Sequence, residues 1–121
     1  MDTAALTYDS VLEPPRRSGS IRLGNAQVDF QSGTAQNPSG HHRLRKKELE
    51  LLIFLYQHTG TIISRDELLR SVWKYHGALL TRTVDQTVAT LRRKLADSAT
   101  EPKYLLTVYG IGYCLRTNLE T

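Results

Sequence analysis

The residues best suited to chemistry lie between positions 81 and 96 of this 121-residue chain. In this segment four cationic side chains stand against one acid, a net charge of +3: Arg82, Arg92, Arg93 and Lys94 against Asp85. Cationic groups neutralise phosphates, and an amide such as that of Gln86 can hydrogen-bond the edge of a nucleic-acid base. The chemistry that this segment suggests is therefore binding of a nucleic acid.

The spacing of apolar residues predicts that the segment is one amphipathic helix. Val84, Val88, Leu91 and Leu95 recur at intervals of four, three and four, which places them on one face. The opposite face is polar and cationic and holds Arg82, Gln86, Ala89, Thr90 and Arg93. This face could lie in a DNA groove or could simply be solvated, and the helix alone does not distinguish the two.

Composition bounds the class of protein. The length suits one domain, and a net charge of +4 with an isoelectric point near 9.4 favours a polyanionic partner. A single cysteine, Cys114, excludes an internal disulfide and favours a reducing compartment. Neither a membrane-spanning apolar run nor an N-terminal signal pattern is present, so we expect a cytoplasmic protein without membrane contact.

Enzymatic signatures are absent from the sequence. It has no phosphate-binding glycine loop, no nucleophile elbow and no spaced cluster of metal ligands. The adjacent pair His41 and His42 is a weak hint of a metal site, because no Cys, Asp or Glu lies near it in a ligand spacing. We predict no catalytic activity, no cofactor and no metal.

The first half of the chain predicts a tail, a sheet and a helix. Residues 1–20 contain Pro14-Pro15-Arg16-Arg17 and read as a flexible tail or interdomain linker, which leaves 21–119 as the domain. Short alternating stretches at 21–23, 27–30 and 34–36, with a fourth near 41–44, are separated by turn residues and predict a four-stranded antiparallel sheet.

A helix is predicted from Lys46 to His58, before Gly60. Its apolar stripe is formed by Leu49, Leu52, Ile53 and Tyr56 and widened by Leu51 and Leu55. Arg45, Lys46 and Lys47 put positive charge at the positive end of the helix dipole, which is locally unfavourable. Either a polyanion lies nearby or these side chains extend into water.

The second half predicts two further helices and a hairpin. Ser64 and Glu67 form a capping box that opens a helix burying Leu68, Leu69, Val72 and Trp73. A loop over 74–80 leads to Thr81, which can cap the basic helix. Strand-like runs at 104–108 and 113–116 flank the tip Tyr109-Gly110-Ile111-Gly112. We predict an α+β winged helix-turn-helix: a four-stranded antiparallel sheet, three helices and a hairpin wing.

Three motifs in this order resemble a known family, the OmpR/PhoB-type winged-helix effector domains of two-component response regulators. The motifs are Ser64-Arg65-Asp66-Glu67-Leu68-Leu69 with Trp73, then Arg82-Thr83-Val84-Asp85 with Leu91-Arg92-Arg93-Lys94-Leu95, then Thr107-Val108-Tyr109-Gly110-Ile111-Gly112-Tyr113. The resemblance covers about residues 21–116.

The resemblance implies double-stranded DNA as partner and transcriptional regulation within a phosphorelay as function. It implies that the helix at about 82–96 enters the major groove and that the wing at about 108–113 approaches the minor groove. It also implies tandem dimers on direct repeats and presentation of the loop 74–80 to RNA polymerase. Matched residue by residue, it places phosphate contacts on Arg65, Trp73, Arg82, Thr83, Arg92 and Tyr113.

This sequence departs from the family pattern at three places. The base-reading positions carry Gln86, Thr87 and Thr90 where relatives often have Arg or His, and Arg45 stands where a Ser or Thr cap is usual. The candidate base contacts are Gln86, Thr87, Thr90 and Arg93. Since Gln pairs with adenine and Thr methyls can meet thymine methyls, we predict an A/T-leaning half-site.

The wing departs as well, because Tyr109 replaces the usual arginine. Tyr109 can donate a hydrogen bond to phosphate or pack on the wing, and the sequence does not choose between them. The competing hypothesis for the whole domain is a winged-helix module that binds protein without specific DNA binding. Binding to DNA that weakens with salt separates the two.

Overall fold

The computed structural model describes residues 19–74, 81–98 and 102–117. Several sequence predictions fall wholly or mainly outside these ranges. They are the tail at 1–20 apart from its last two residues, the loop 74–80 apart from Lys74, residues 99–101 of the turn before the hairpin, and the end of the domain at 118–119.

The N-terminal sheet is a four-stranded antiparallel meander, as predicted. Its strands are β1 (Ser20–Leu23), β2 (Ala26–Asp29), β3 (Thr34–Asn37) and β4 (Gly40–Arg43), in that spatial order. The register pairs Ile21 with Val28 and Val28 with Ala35, so one face presents a row of buried apolar side chains. That face needs a covering helix.

Helix α1 (Lys46–Gln57) covers the core with Leu49, Leu51, Leu52 and Leu55. Tyr56 is more exposed than the predicted stripe requires, although its ring lies 5.7 Å from that of Phe30. The cap residue is Arg45, whose backbone N–H donates to Glu48 Oε1 at 2.9 Å. An acidic side chain in the first turn therefore supplies the reciprocal half of a capping box, while the half that a Ser or Thr oxygen would make is not supplied by the arginine side chain.

Strand β5 (Ile63–Ser64) leads directly into helix α2 (Arg65–Ser71). Ser64 Oγ accepts a hydrogen bond from the Glu67 N–H at 3.0 Å, which is one half of the predicted capping box. The other half is absent, because the Glu67 carboxylate instead accepts from Arg70 at 2.9 Å and Ser71 at 2.6 Å. These two donors, Ser71 first, also lower the pKa of Glu67.

Helix α3 (Arg82–Leu95) is the predicted basic helix, shortened by one residue at each end. Its apolar face is fully inside the protein, with Val84, Val88 and Leu91 completely buried. The prediction that Thr81 caps this helix was wrong: Thr81 has helical backbone angles and makes no side-chain cap hydrogen bond. Ala96 closes the helix in the left-handed conformation, φ 61°.

The C-terminal hairpin is formed by β6 (Leu105–Val108) and β7 (Gly112–Leu115). The sequence did not predict that β5 joins it, giving a three-stranded sheet in the order β5-β7-β6. The prediction also placed Gly112 in the tip, whereas it is a buried residue of β7 opposite Ser64. A Cβ there would overlap the Ile63 carbonyl oxygen, so only glycine permits this pairing.

The two sheets and three helices of the described residues enclose one apolar core. Asn37 ties the first sheet to α3 by donating to the carbonyl oxygen of Lys94 at 2.8 Å. Cys114 is buried and packs as a small hydrophobic residue. No helix in the described ranges has the length and apolar character to cross a membrane.

Candidate nucleic-acid interface

The polar face of α3 is open to solvent, as the helical spacing predicts. Arg82, Gln86, Ala89 and Arg93 are exposed along it, and Thr90 is partly exposed. Packing of the opposite face against the core fixes the rotation of the helix about its own axis. The structure thus presents amide, hydroxyl and guanidinium groups together on one face of the rigidly held helix α3.

Two of the four cations counted in the sequence do not belong to this face. Arg92 is 8% exposed, and its guanidinium donates to the Leu105 carbonyl oxygen at 3.0 and 2.7 Å and to Thr107 Oγ1 at 2.6 Å. Lys94 Nζ donates to Glu48 at 2.8 Å and to the Arg43 carbonyl oxygen at 2.9 Å. The exposed cations of α3 are therefore Arg82 and Arg93.

Arg92 has a positioning role, because it joins α3 to strand β6 through three hydrogen bonds. Its guanidinium also lies 5.7 Å from the centre of the Tyr113 ring, a cation–π distance. Three of its five N–H groups are thus used within the protein, and its burial leaves it poorly placed to reach a phosphate. The contact that the resemblance implied for Arg92 is not supported by this geometry.

Asp85 joins three elements at the base of the interface. Its Oδ1 accepts from Arg65 Nε at 2.8 Å and from the Tyr113 hydroxyl at 2.6 Å, so α2, α3 and β7 meet at one carboxylate. Only the Nε–H of Arg65 is used in this pair, which leaves the two terminal nitrogens of the guanidinium for another acceptor. Asp85 thereby fixes the position of Arg65 while its terminal guanidinium nitrogens take no part in this ion pair.

The two partners of Asp85 have shifted pKa values. The hydrogen bond and charge of Asp85 raise the pKa of Arg65, so it stays cationic. Burial, and then the Asp85 hydrogen bond, raise the pKa of Tyr113 above 10.0. Because the folded pKa is the higher one, the stabilisation from Tyr113 is complete below pH 10 and is lost as pH rises through the raised value.

We expect Tyr113→Phe to lower the free energy of unfolding by about 0.5–1.5 kcal/mol, because it removes only the hydroxyl that donates to Asp85. Chemical denaturation with and without Asp85→Ala checks this. If the hydrogen bond carries the effect, the cost of Tyr113→Phe falls in the Asp85→Ala background. An undiminished cost in that background would show that the hydroxyl acts elsewhere.

The tip of the hairpin projects into solvent beside α2 and α3. Tyr109 is 87% exposed and Ile111 53% exposed, on either side of Gly110 with φ +79°. Of the two roles left open for Tyr109, packing on the wing is excluded by this exposure. The wing offers an aromatic and an aliphatic side chain, and its only polar side-chain group at the tip is the Tyr109 hydroxyl.

A groove of about 470 Å³ runs between α3 and the start of α1. One wall carries Gln86, Thr87 and Thr90, with the half-buried Trp73 beside them. The Thr87 hydroxyl donates to the Thr83 carbonyl oxygen at 3.0 Å, so it can offer a ligand only its methyl group and an acceptor oxygen. The other wall of the groove carries Arg45, Lys46, Lys47 and Glu48.

The histidine pair forms no metal site with other described residues. His42 Nε2 lies 3.1 Å from Ser39 Oγ, and no group of three His, Cys, Asp or Glu able to hold a metal ion occurs in the described ranges.

Comparison with known proteins places this arrangement in a family. Residues 40–115 match the family model described as "Transcriptional regulatory protein, C terminal". The chain belongs to this family. The match spans from β4 to the end of β7 and so includes α3 and the hairpin, which confirms the resemblance derived from the motifs.

Curated relatives of this family member are longer proteins. The chain is 34% identical over 106 residues to the alkaline phosphatase synthesis transcriptional regulatory protein PhoP of Bacillus subtilis, covering 88% of the chain and 44% of PhoP. It is 38% identical over 99 residues to the transcriptional regulatory protein PrrA of Mycobacterium leprae, covering 82% of the chain and 42% of PrrA. The chain thus spans less than half the length of both relatives.

Solved structures share the fold. The DNA-binding domain of Klebsiella pneumoniae RstA, in complex with the RstA box, superposes with a TM-score of 0.68 at 29% identity over 82% of the chain and 98% of that domain. The DNA-binding domain of CpxR from E. coli gives a TM-score of 0.64 at 25% identity over 83% of the chain and 98% of that domain. The predicted winged-helix fold is confirmed.

Sequence reasoning missed two features of this family member. The convergence of Arg65 and Tyr113 on Asp85 joins residues 20 and 28 positions apart, which no local pattern reveals. The groove that brings Arg45 and Lys46 beside the base-reading candidates was also missed. Its only sequence signal was the unfavourable positive charge at the start of α1.

Proposed function

We propose that this domain regulates transcription by binding double-stranded DNA in a sequence-specific manner. The observation that carries the proposal is the exposed polar face of α3, held rigidly by the core with the hairpin alongside. An α-helix fits the major groove, where each base pair shows a distinct pattern of donors and acceptors. The RstA domain, which shares this fold, is bound to its own DNA box.

We propose that Gln86, Thr87, Thr90 and Arg93 read bases and that the half-site leans towards A/T. The amide of Gln86 is exposed and can make a bidentate pair with adenine, while the threonine methyls can contact thymine methyls. Arg93 is exposed one turn further along the helix and can reach guanine or a phosphate.

Phosphate contacts are proposed for Arg65, Arg82, Thr83 and Trp73. Arg82 is exposed at the first position of α3, and the Arg65 pair with Asp85 of the same helix uses the Nε–H of its guanidinium. Thr83 and the half-buried Trp73 each offer one polar donor. Arg92 and Tyr113 act differently in this account, since they hold the hairpin against α3 and α2.

We further propose that the chain is the effector part of a longer phosphorelay response regulator in the cytoplasm. The chain covers 44% of PhoP and 42% of PrrA, both transcriptional regulatory proteins. Binding as a tandem dimer on direct repeats, and contact of the loop 74–80 with RNA polymerase, are proposals that follow from the family resemblance alone. Residues 75–80 lie outside the described ranges.

The experiment is a titration of purified chain with duplex DNA, by fluorescence anisotropy, across a series of salt concentrations. If three to five phosphates are neutralised, log K falls against log salt with a slope of about −3 to −4.5 per monomer. Lys103→Gln removes an exposed charge that does not line the groove, and should leave the slope unchanged. A domain that binds only protein would give a flat response or no binding.

A further inference from the structure

The basic segment at the start of α1 lies against the base-reading side of α3. Arg45, Lys46, Lys47 and Glu48 form one wall of the 470 Å³ groove whose opposite wall carries Gln86, Thr87 and Thr90. A helix that reads bases in the major groove lies between two sugar–phosphate backbones, so cations beside its base-reading side are well placed to meet one of them. The two walls are therefore parts of one surface, although they are about 40 residues apart in sequence.

The charges on this wall are not equivalent. Lys47 Nζ donates to Glu50 at 2.9 Å and to the Val72 carbonyl oxygen at 3.1 Å, so its charge is already paired within the protein although the side chain is partly exposed. Glu48 is buried and accepts from Lys94 and from the Arg45 N–H. Arg45 and Lys46 are exposed, and in the described part of the chain neither forms an ion pair.

The positive charges of Arg45 and Lys46 are also unfavourable at the N-terminus of α1. The first turn of α1 carries the positive end of the helix dipole, so each cation there is destabilising at low salt. The buried carboxylate of Glu48 offsets part of this unfavourable positive charge, but it is already paired with Lys94. An anion arriving from solvent would be attracted by both side chains and by the dipole.

We propose that Arg45 and Lys46 bind the phosphodiester backbone of the same DNA duplex that α3 reads. This inference rests on the proposed function and adds a second phosphate-binding surface, on α1, to the one formed by α2 and α3. Contacts of this kind carry no base preference, so they set the tilt of α3 in the groove and strengthen binding to all sequences.

The variant that tests this is Arg45→Gln with Lys46→Gln, measured by the same salt titration. Removing two phosphate contacts should reduce the magnitude of the slope by about 1.8. The ratio of wild-type to variant affinity should therefore fall about tenfold when the salt concentration rises from roughly 50 to 200 mM. The base preference should not change. Since both residues oppose the dipole, the melting temperature should stay the same or rise slightly.

The matched control is Arg22→Gln with Lys103→Gln, which removes the same charge from exposed positions that do not line the groove. Methylphosphonate groups, which are neutral, can then replace single phosphates along the duplex. The inference predicts one or two positions whose neutralisation weakens the wild type and the control variant, but not the Arg45→Gln, Lys46→Gln variant.

The outcomes separate this inference from the proposed function. If the wild type binds DNA with a steep slope and the double variant has the same slope as the control, Arg45 and Lys46 do not contact phosphate and the inference is overturned. If the wild type itself shows no salt-dependent binding to any duplex, the proposed function fails. A reduced slope with an altered base preference would also contradict the inference, because it would place these side chains on base edges.

Discussion

Arg92→Met should lower the free energy of unfolding by about 1.5–3 kcal/mol, because hydrogen bonds from a charged donor are worth about that much. The guanidinium is buried and makes two hydrogen bonds to the Leu105 carbonyl oxygen and one to Thr107. Methionine replaces the apolar stem but leaves these acceptors without their donor. Denaturant titration of the two proteins measures the difference.

DNA binding distinguishes the structural role of Arg92 from the phosphate contact implied by the family resemblance. If Arg92 only holds the hairpin, the variant binds DNA more weakly, but its slope of log K against log salt equals that of the wild type. Arg82→Met is the control, because Arg82 is exposed and its loss should flatten the slope by about 0.9 with little change in stability. A flattened slope for Arg92→Met with unchanged stability would contradict this account.

Gln86→Ala should abolish discrimination at one base pair of the half-site, a loss of about 1–3 kcal/mol against the wrong base. The Gln86 side chain is exposed in the middle of the polar face, and alanine keeps the helix intact. Affinity measured for the four base pairs at each position of the preferred duplex shows where discrimination disappears. Lys103→Gln, at an exposed position that does not line the groove, is the control and should keep the profile.

A preference profile that is unchanged in Gln86→Ala would refute the role of Gln86 as a base reader. It would leave the polar face as a surface for phosphates, or for another protein. The salt slope separates these two outcomes, since a protein-binding face needs no counterion release from DNA.

The fold was largely predictable because each element has a strong local pattern. The alternation around Val28 and Ala35, and the four-three-four spacing from Val84 to Leu95, report directly which side faces the core. Strand β5 could not be predicted in this way, since two residues have no period. It is defined only by the partner strand that Gly112 allows to approach.

The interface was predictable in outline but not in its electrostatics. Arg92 follows Val88 by four residues, so it lies at the edge of the apolar stripe, and the sequence does not say which way its long side chain turns. It turns inward because the Leu105 carbonyl oxygen and Thr107 hydroxyl are available there. Lys94 turns inward for a similar reason, towards Glu48.

Helix ends were the least predictable details. Ser64 caps α2 as expected, yet Glu67 finds nearer donors in Arg70 and Ser71 than the backbone N–H it was expected to reach. Conversely, the Arg45 side chain has no acceptor with which to cap α1, but the Glu48 carboxylate accepts from the Arg45 backbone N–H. In both cases competition among neighbouring donors and acceptors decided the outcome, and a sequence motif does not report that competition.

The most direct test of the central claim is a cycle between Gln86 and one adenine in the preferred duplex. Replacing that adenine by 7-deazaadenine removes only N7, a major-groove acceptor that Gln86 would bind. The account predicts that this replacement weakens binding of the wild-type domain and has no effect on Gln86→Ala. Equal effects on both proteins at every adenine of the site would show that Gln86 does not face the major groove, and would contradict the account.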